Sequence, residues 1–250
     1  VDGRATDRLV ELAREIGGIQ GPAALAATMA RSRLSGSPGS TVEATFLDGN
    51  DESVDVTIEL GVSPHPVAGL GNLPPFPVEI VSRTLDSGVG YFRLGVFFDP
   101  GRVISAWRSF LETHADAPGV ILDLRGNPGG IILMSAGMLN FVVDERGQRL
   151  GTLHMRDAAR GPFDMPVMIN PRATTYDVPM SVLVDEMSMS NSEVIAAAAQ
   201  DLDRATVVGS PTPGLVLPSG VVRLPNGDGL LHAFAGYSRS SGGALEGAGV

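Results

Sequence analysis

The stretch from Ser181 to Leu215, SVLVDEMSMSNSEVIAAAAQDLDRATVVGSPTPGL, constrains the fold more than any other. It opens on Val182–Val184, an apolar run too short for a helix and rich in β-branched residues, which predicts a buried strand. A turn of small polar residues follows, from Asp185 to Asn191. Val194–Gln200 then reads as an alanine-rich helix, and Ala205–Gly209 as a second buried strand. A strand, a turn, a helix and a strand in that order imply parallel pairing of the two strands. In such units the chemistry gathers at the turn, where strand ends and helix N-termini converge.

Ser190 sits in that turn, and two readings of it are compatible. One is a capping box: Ser190 as N-cap with Glu193 three residues on, each satisfying a backbone N–H of the other. The other is a nucleophile at a helix N-terminus, where the positive end of the helix dipole favours a developing oxyanion. Ser188 and Ser192 compete for either role, and position alone does not choose among the three.

Val120–Gly130, VILDLRGNPGG, is a second buried strand running into Arg-Gly-Asn-Pro-Gly-Gly. Glycines there allow a sharp turn and leave N–H groups unobstructed, which suits an anion as well as a plain tight turn. Together, VILDLRGNPGG and VLVDEMSMSNSEVIAAAAQDLDRATVVGSPTPG resemble the C-terminal processing (tail-specific) serine peptidases, in order and over roughly Gly88 to Val250. That resemblance implies an α/β fold: a crotonase/ClpP-like core of β-β-α units with a small α+β, partial PDZ-like part at the N-terminus. It implies Ser190 as nucleophile, and the backbone N–H groups of Asn191 and of Gly129 or Gly130 as oxyanion donors. The family's general base is a lysine following a Pro-Thr-x-Gly turn. Here the turn is Pro211-Thr212-Pro213-Gly214 and the next residue is Leu215. Ser219 stands where the supporting glutamine is expected.

No other lysine can take that place. Arginine accounts for all 18 Lys and Arg residues, and it does not deprotonate at working pH. A proton acceptor must therefore be something else, since a serine hydroxyl is a weak nucleophile at its free pKa. Of the four histidines, His114 lies before the Val120 strand, roughly 20 Å from the turn that follows it. His65 lies between prolines, and His154 falls on a short strand. His232 is favoured: a two-residue Asn226-Gly227 turn pairs Val221 with His232 and puts it on the face of Leu215 and Ser219. A single bulge would reverse that facing, and a structural or surface histidine is the alternative. The histidine of the related tricorn-type branch lies on the entry strand, where this chain has Arg93.

The rest of the chain divides at a stiff linker. Gly61–Pro77 holds five prolines, and the expected parts are residues 1–61, a linker over 62–77 and a catalytic core over 78–250. In the first part, helices are predicted over Asp7–Gly17 and Pro22–Leu34, then strands Thr41–Leu47 and Ser53–Leu60 around Asp48–Asp51. VDG, a helical segment and GSPGSTVEATFLDG resemble the latter half of a PDZ domain, the alternative being a small appendage without ligand. In the core, strands Val78–Leu85 and Gly90–Phe98, a helix Val103–Thr113 carrying the only tryptophan, and a helix Ile131–Phe141 are predicted. Gly151–Arg156 and Val167–Asn170 read as short strands, and Val216–Leu224 and Leu230–Tyr237 as a hairpin. Gly242–Gly249 reads as a closing loop resembling the family's own.

Composition removes several functions. A net charge of −10 argues against nucleic-acid binding. With no cysteine there are no disulfides or thiolate metal sites, and no metal or cofactor is expected. No apolar run is long enough to span a membrane. The chain starts at Val1 and reads as a fragment, with a targeting signal, if there is one, lying outside it. The resemblance implies work in the cell envelope or periplasm, or as a secreted protein, on a polypeptide substrate at its C-terminal segment; assembly into oligomers is allowed. A non-catalytic relative that binds peptides or partners is the second hypothesis, and a small-ester hydrolase on the same scaffold the third.

Overall fold

The computed structural model describes residues 33–69, 75–157 and 161–250, together with Arg8 and Glu11. The helices expected over Asp7–Gly17 and Pro22–Leu34 lie almost wholly outside the described residues. The chain divides into two compact units, Val1–Pro64 and His65–Val250. In the first, β1 (Thr41–Leu47) and β2 (Ser53–Glu59) pair antiparallel, from Thr41↔Glu59 to Leu47↔Ser53. The Asp48 carboxylate accepts the N–H groups of Asn50 and Glu52 at 2.7 and 3.0 Å, which closes the loop between them as aspartates do in turns.

The second unit begins with the short pair β3 (Val67–Ala68) and β4 (Phe76–Pro77). Its main sheet is built from β5 (Ile80–Thr84), β6 (Gly90–Leu94), β7 (Val120–Asp123), β10 (Met180–Val184) and β11 (Thr206–Gly209), in the order β11-β10-β7-β6-β5. The first four run parallel and β5 is antiparallel to β6. The strand-helix-strand reading of the serine stretch is therefore met, with Val182 opposite Val207.

Helix α1 (Pro100–Thr113) crosses from β6 to β7. It buries Val103, Trp107, Phe110 and Leu111, the i, i+4, i+7, i+8 stripe of a helix lying on a sheet. Trp107 donates its indole N–H to the Met138 carbonyl at 3.1 Å and meets Phe92 edge-on at 5.1 Å. Helix α2 (Ile132–Leu139) follows the glycine turn and is shorter than expected. Helix α3 (Asn191–Asp201) is buried from Asn191 through Ala199. Its run of alanines admits α2, β10 and β11 closely, and the stretch Val194–Ala199 is apolar on all sides because it is enclosed on all sides.

Three expectations change. The short strands around residue 160 are a long antiparallel pair, β8 (Arg149–Asp157) and β9 (Gly161–Met168). Pro162 and Pro166 hid β9, yet it is the edge strand of its three-stranded sheet, where missing N–H donors are tolerated. The predicted strand Leu230–Tyr237 is two strands. β13 (Gly229–Ala233) pairs with β12 (Ser219–Arg223), and β14 (Ala235–Arg239) pairs with β8. The β12–β13 register is also one residue away from that expected, with Gly220 opposite His232 and Val221 opposite Leu231. Its loop is three residues, Pro225-Asn226-Gly227. Leu224 N–H reaches the Asp228 carbonyl at 2.7 Å, and Gly227 takes φ 92°, a conformation open to glycine at little cost.

Candidate active site

The two turns singled out in the sequence are stitched into one body at the C-terminal ends of β7 and β10. The Asp185 carboxylate accepts the N–H groups of Gly126 at 2.9 Å and Met187 at 3.0 Å. Asn127 is the second stitch. Its side chain donates to the Leu94 carbonyl at 2.8 Å and accepts the Gly129 N–H at 2.8 Å. Its own carbonyl accepts the Ser192 hydroxyl at 2.9 Å and the Met189 N–H at 3.0 Å.

Those bonds separate the three serines. Ser188 is buried, with its hydroxyl donating to the Leu124 carbonyl at 2.9 Å. Ser192 is buried on Asn127. Ser190 is half-buried and lines a cavity of about 600 Å³. Its backbone is held at φ 55°, ψ −117°, a conformation costing a side-chain-bearing residue roughly 1–3 kcal/mol and typical of sites where function needs a fixed side chain. A serine on such a strand-to-helix turn is lifted clear of the sheet.

The N–H groups around it are not equivalent. Gly129 N–H is taken by Asn127 Oδ1. Around Gly130 the bonds to Phe97 use the Gly129 carbonyl and the Ile131 N–H, at 2.8 and 2.9 Å. Gly130 N–H therefore has no acceptor among the described residues. Asn191 N–H has none either, as expected for the first residue of a helix. The Asn191 side chain is fixed by its bonds to the Ile131 carbonyl at 2.8 Å and the Ser135 hydroxyl at 2.7 Å. Gly129 is the residue of closest approach. A Cβ there would lie 2.6 Å from Ser190 Cβ and 2.8 Å from Asn191 N.

Glu193 ties this corner to the turn that precedes Leu215. Its carboxylate is buried and accepts four bonds, two on each oxygen. Oε1 takes the Thr212 hydroxyl at 2.7 Å and Gly214 N–H at 2.6 Å. Oε2 takes Ser190 N–H and Leu215 N–H, both at 2.9 Å. Burial pushes the carboxyl above its ordinary value, and the four donors hold it down only in part. The expected capping box of Ser190 and Glu193 is thus present, and the glutamate also reaches 22 residues onward.

Leu215 and Ser219 line the same cavity as Ser190. Its walls are mainly apolar, from Phe76, Val96 and Phe98 to Val194 and Phe234. Glu246 is the only ionisable side chain among the described lining residues. Its Oε2 accepts Val216 N–H at 2.7 Å and Leu217 N–H at 3.2 Å. Sequence reasoning missed Glu246, which lies in the closing loop 56 residues from the serine with no local pattern to mark it.

The histidines are elsewhere. The one-residue change in register gives the face of Ser219 to Leu231, which lines the cavity, whereas His232 is exposed on the opposite face and does not. His114 is buried between the Phe110 carbonyl at 2.8 Å and the Thr84 hydroxyl at 2.9 Å. His154 bonds Asp164 at 2.7 Å and Ser238 at 3.0 Å. Arg93 pairs with Glu79 and Asp123, both at 3.4 Å. No side chain among the described residues hydrogen-bonds the Ser190 hydroxyl, and none of their His, Asp and Glu residues form a group of three or more suited to a metal ion.

Comparison with known proteins gives the family and the fold. The model of peptidase family S41 matches residues 88–250. The chloroplastic carboxyl-terminal-processing peptidase 3 of Arabidopsis thaliana is 31% identical over 169 residues, covering 66% of this chain and 32% of that protein. A carboxyl-terminal-processing protease of Synechocystis is 33% identical over 168 residues, with 66% and 37% covered. The chain thus spans about a third of the length of these relatives. Among solved structures, the photosystem II D1 C-terminal processing protease aligns with a TM-score of 0.55 at 24% identity, covering 86% of this chain and 55% of that one. Mature CPAF complexed with lactacystin aligns with a TM-score of 0.68 at 16% identity, covering 100% and 70%. These two likenesses establish the fold.

Proposed function

The chain belongs to peptidase family S41, and from that membership we propose that it is a serine-type peptidase of the C-terminal processing kind. Ser190 attacks the scissile carbonyl, and the N–H groups of Asn191 and Gly130 receive the oxyanion. The observation that carries this reading is the strained Ser190 opening on a cavity beside two unengaged amides. Fixed donors aimed at developing charge are usually the largest single contribution to such catalysis.

The proton acceptor in this reading is Glu246. It faces the same cavity, and the N–H bonds from Val216 and Leu217 both fall on Oε2, leaving Oε1 outside that pair. The substrate is a polypeptide cut near its C-terminus, with its side chains against the apolar walls. The first unit, whose described residues include the β1–β2 hairpin, is a PDZ-like accessory, and the working compartment is the cell envelope or the outside of the cell.

A second reading is a non-catalytic relative that binds peptides in the same cavity. Leu215 in the lysine's place and, among the described residues, the absence of a side chain bonded to the Ser190 hydroxyl favour it. Incubation with unstructured polypeptides ending in apolar residues, followed by mass spectrometry, separates the two. The peptidase reading expects truncated tails with wild type and none with Ser190→Ala. Intact polypeptides that nevertheless bind both proteins equally would leave only the binding module.

A further inference from the structure

We propose that the cavity beside Ser190 takes linear aliphatic acyl chains and that Ser190 is acylated by activated esters of those chains, an activity distinct from peptide cleavage. It rests on Ser190 being the nucleophile. Three observations converge on it. Most of the cavity's lining is hydrocarbon, including Phe98, Ile132, Val194, Leu215, Leu217 and Phe234. The volume, about 600 Å³, lies within the range of pockets that enclose whole small ligands. Leu215 also puts a branched apolar side chain where an amine would otherwise interrupt that surface.

The chemistry points the same way. Expelling an amine from a tetrahedral intermediate requires a proton on its nitrogen, delivered by the group that took the serine proton. Carboxylates as a class are far weaker bases than amines, so a serine served by a carboxylate is less activated than one served by a lysine. An aryl ester has a more electrophilic carbonyl and a leaving group that departs as an anion. In the step, Ser190 Oγ bonds to the acyl carbon and its proton passes to the Glu246 carboxylate. The carbon–oxygen bond to the aryloxide breaks with its electron pair, and the aryloxide takes up the proton. Water then attacks the acyl-serine, releasing the carboxylic acid and restoring the hydroxyl. Hydrolases lacking one member of a catalytic triad keep roughly 10³–10⁴-fold acceleration from oxyanion donors and binding. That is the acceleration expected here for esters that fill the cavity.

The test uses the full chain with p-nitrophenyl acetate, butyrate, hexanoate and octanoate, alongside a fluorophosphonate probe. The expected result is Ser190-dependent hydrolysis in which kcat/KM rises about fourfold per added methylene until the cavity is full. Leu217→Glu, at a position 38% exposed and so tolerant of charge, flattens that dependence. Fluorophosphonate labelling of Ser190 with ester rates no higher than those of Ser190→Ala would overturn the ester activity while leaving the nucleophile. A Ser190-dependent rate that ignores chain length would overturn the acyl-chain assignment. Absence of both labelling and hydrolysis in the folded protein would overturn the nucleophile itself.

Discussion

Replacing Glu193 by glutamine exchanges one oxygen for an NH2 group and should dismantle the corner that holds Ser190. Each carboxylate oxygen accepts two donors, at 2.6 to 2.9 Å. An amide offers one acceptor oxygen. With its NH2 toward the Ser190 and Leu215 N–H groups, two buried donors lose their partner; with its NH2 toward Thr212 and Gly214, the Thr212 hydroxyl can turn to accept and only Gly214 N–H is left without one. The better orientation therefore costs about 1–3 kcal/mol gross. Part is returned because no charge is buried, which places the net destabilisation at about 1–2 kcal/mol. The sign of the pH dependence follows from the raised carboxyl. Between the unfolded pKa and the higher folded one, the native protein holds more protons than the unfolded chain, so wild-type stability falls as pH rises through that window. Glu193→Gln lacks this slope, and its deficit should narrow with rising pH. Urea unfolding at several pH values measures both quantities, and fluorophosphonate labelling reads the site, where at least a tenfold slowing is expected as Ser190 and the Leu215 turn lose their common anchor. A variant within about 0.5 kcal/mol of wild type that labels at the wild-type rate would refute the clamp.

Other consequences are simpler. Leu215→Lys with Ser219→Gln should speed fluorophosphonate labelling tenfold or more, since a positioned general base contributes about 10²–10⁴ in favourable cases; an unchanged rate means that position 215 does not reach Ser190. Gly129→Ala places a Cβ 2.6 Å from Ser190 Cβ at φ 97°, and should cost about 1–3 kcal/mol by thermal unfolding and abolish labelling. Asp123 is buried, which raises its carboxyl, yet hydrogen bonds from Arg125 and Tyr91 pull it down to about 2. Its contribution of about 2 kcal/mol is present above the unfolded pKa and lost as pH falls toward 2. Asp123→Asn should therefore flatten part of the acid limb of a stability–pH curve, and an unaltered limb would remove the residue from that account.

What could be read beforehand was local. The β10–α3–β11 unit carries its own periodicity, its small-residue turn and its parallel pairing within 30 consecutive residues, Met180–Gly209. The choice among Ser188, Ser190 and Ser192 was not local. It depends on Leu124 and Asn127, more than 60 residues earlier, which claim the two outer hydroxyls. The difference between the glycines is local by contrast: the Asn127 side chain, two residues back, occupies the amide of Gly129 and leaves that of Gly130. His232 was misfaced because Gly227 accepts a positive φ and lengthens the turn by one residue, which in a period-two strand reverses every side chain beyond it. Glu246 reaches the cavity only through tertiary contact with Val216 and Leu217.

Where an oxyanion would sit decides whether Ser190 is a nucleophile. A crystal structure of the covalent fluorophosphonate adduct reads that position, because the phosphoryl oxygen mimics the tetrahedral charge. The oxygen should lie about 3 Å from the backbone nitrogens of Asn191 and Gly130, on a phosphorus bonded to Ser190 Oγ. An adduct on another residue, or an oxygen turned to solvent with both amides unengaged, would contradict it.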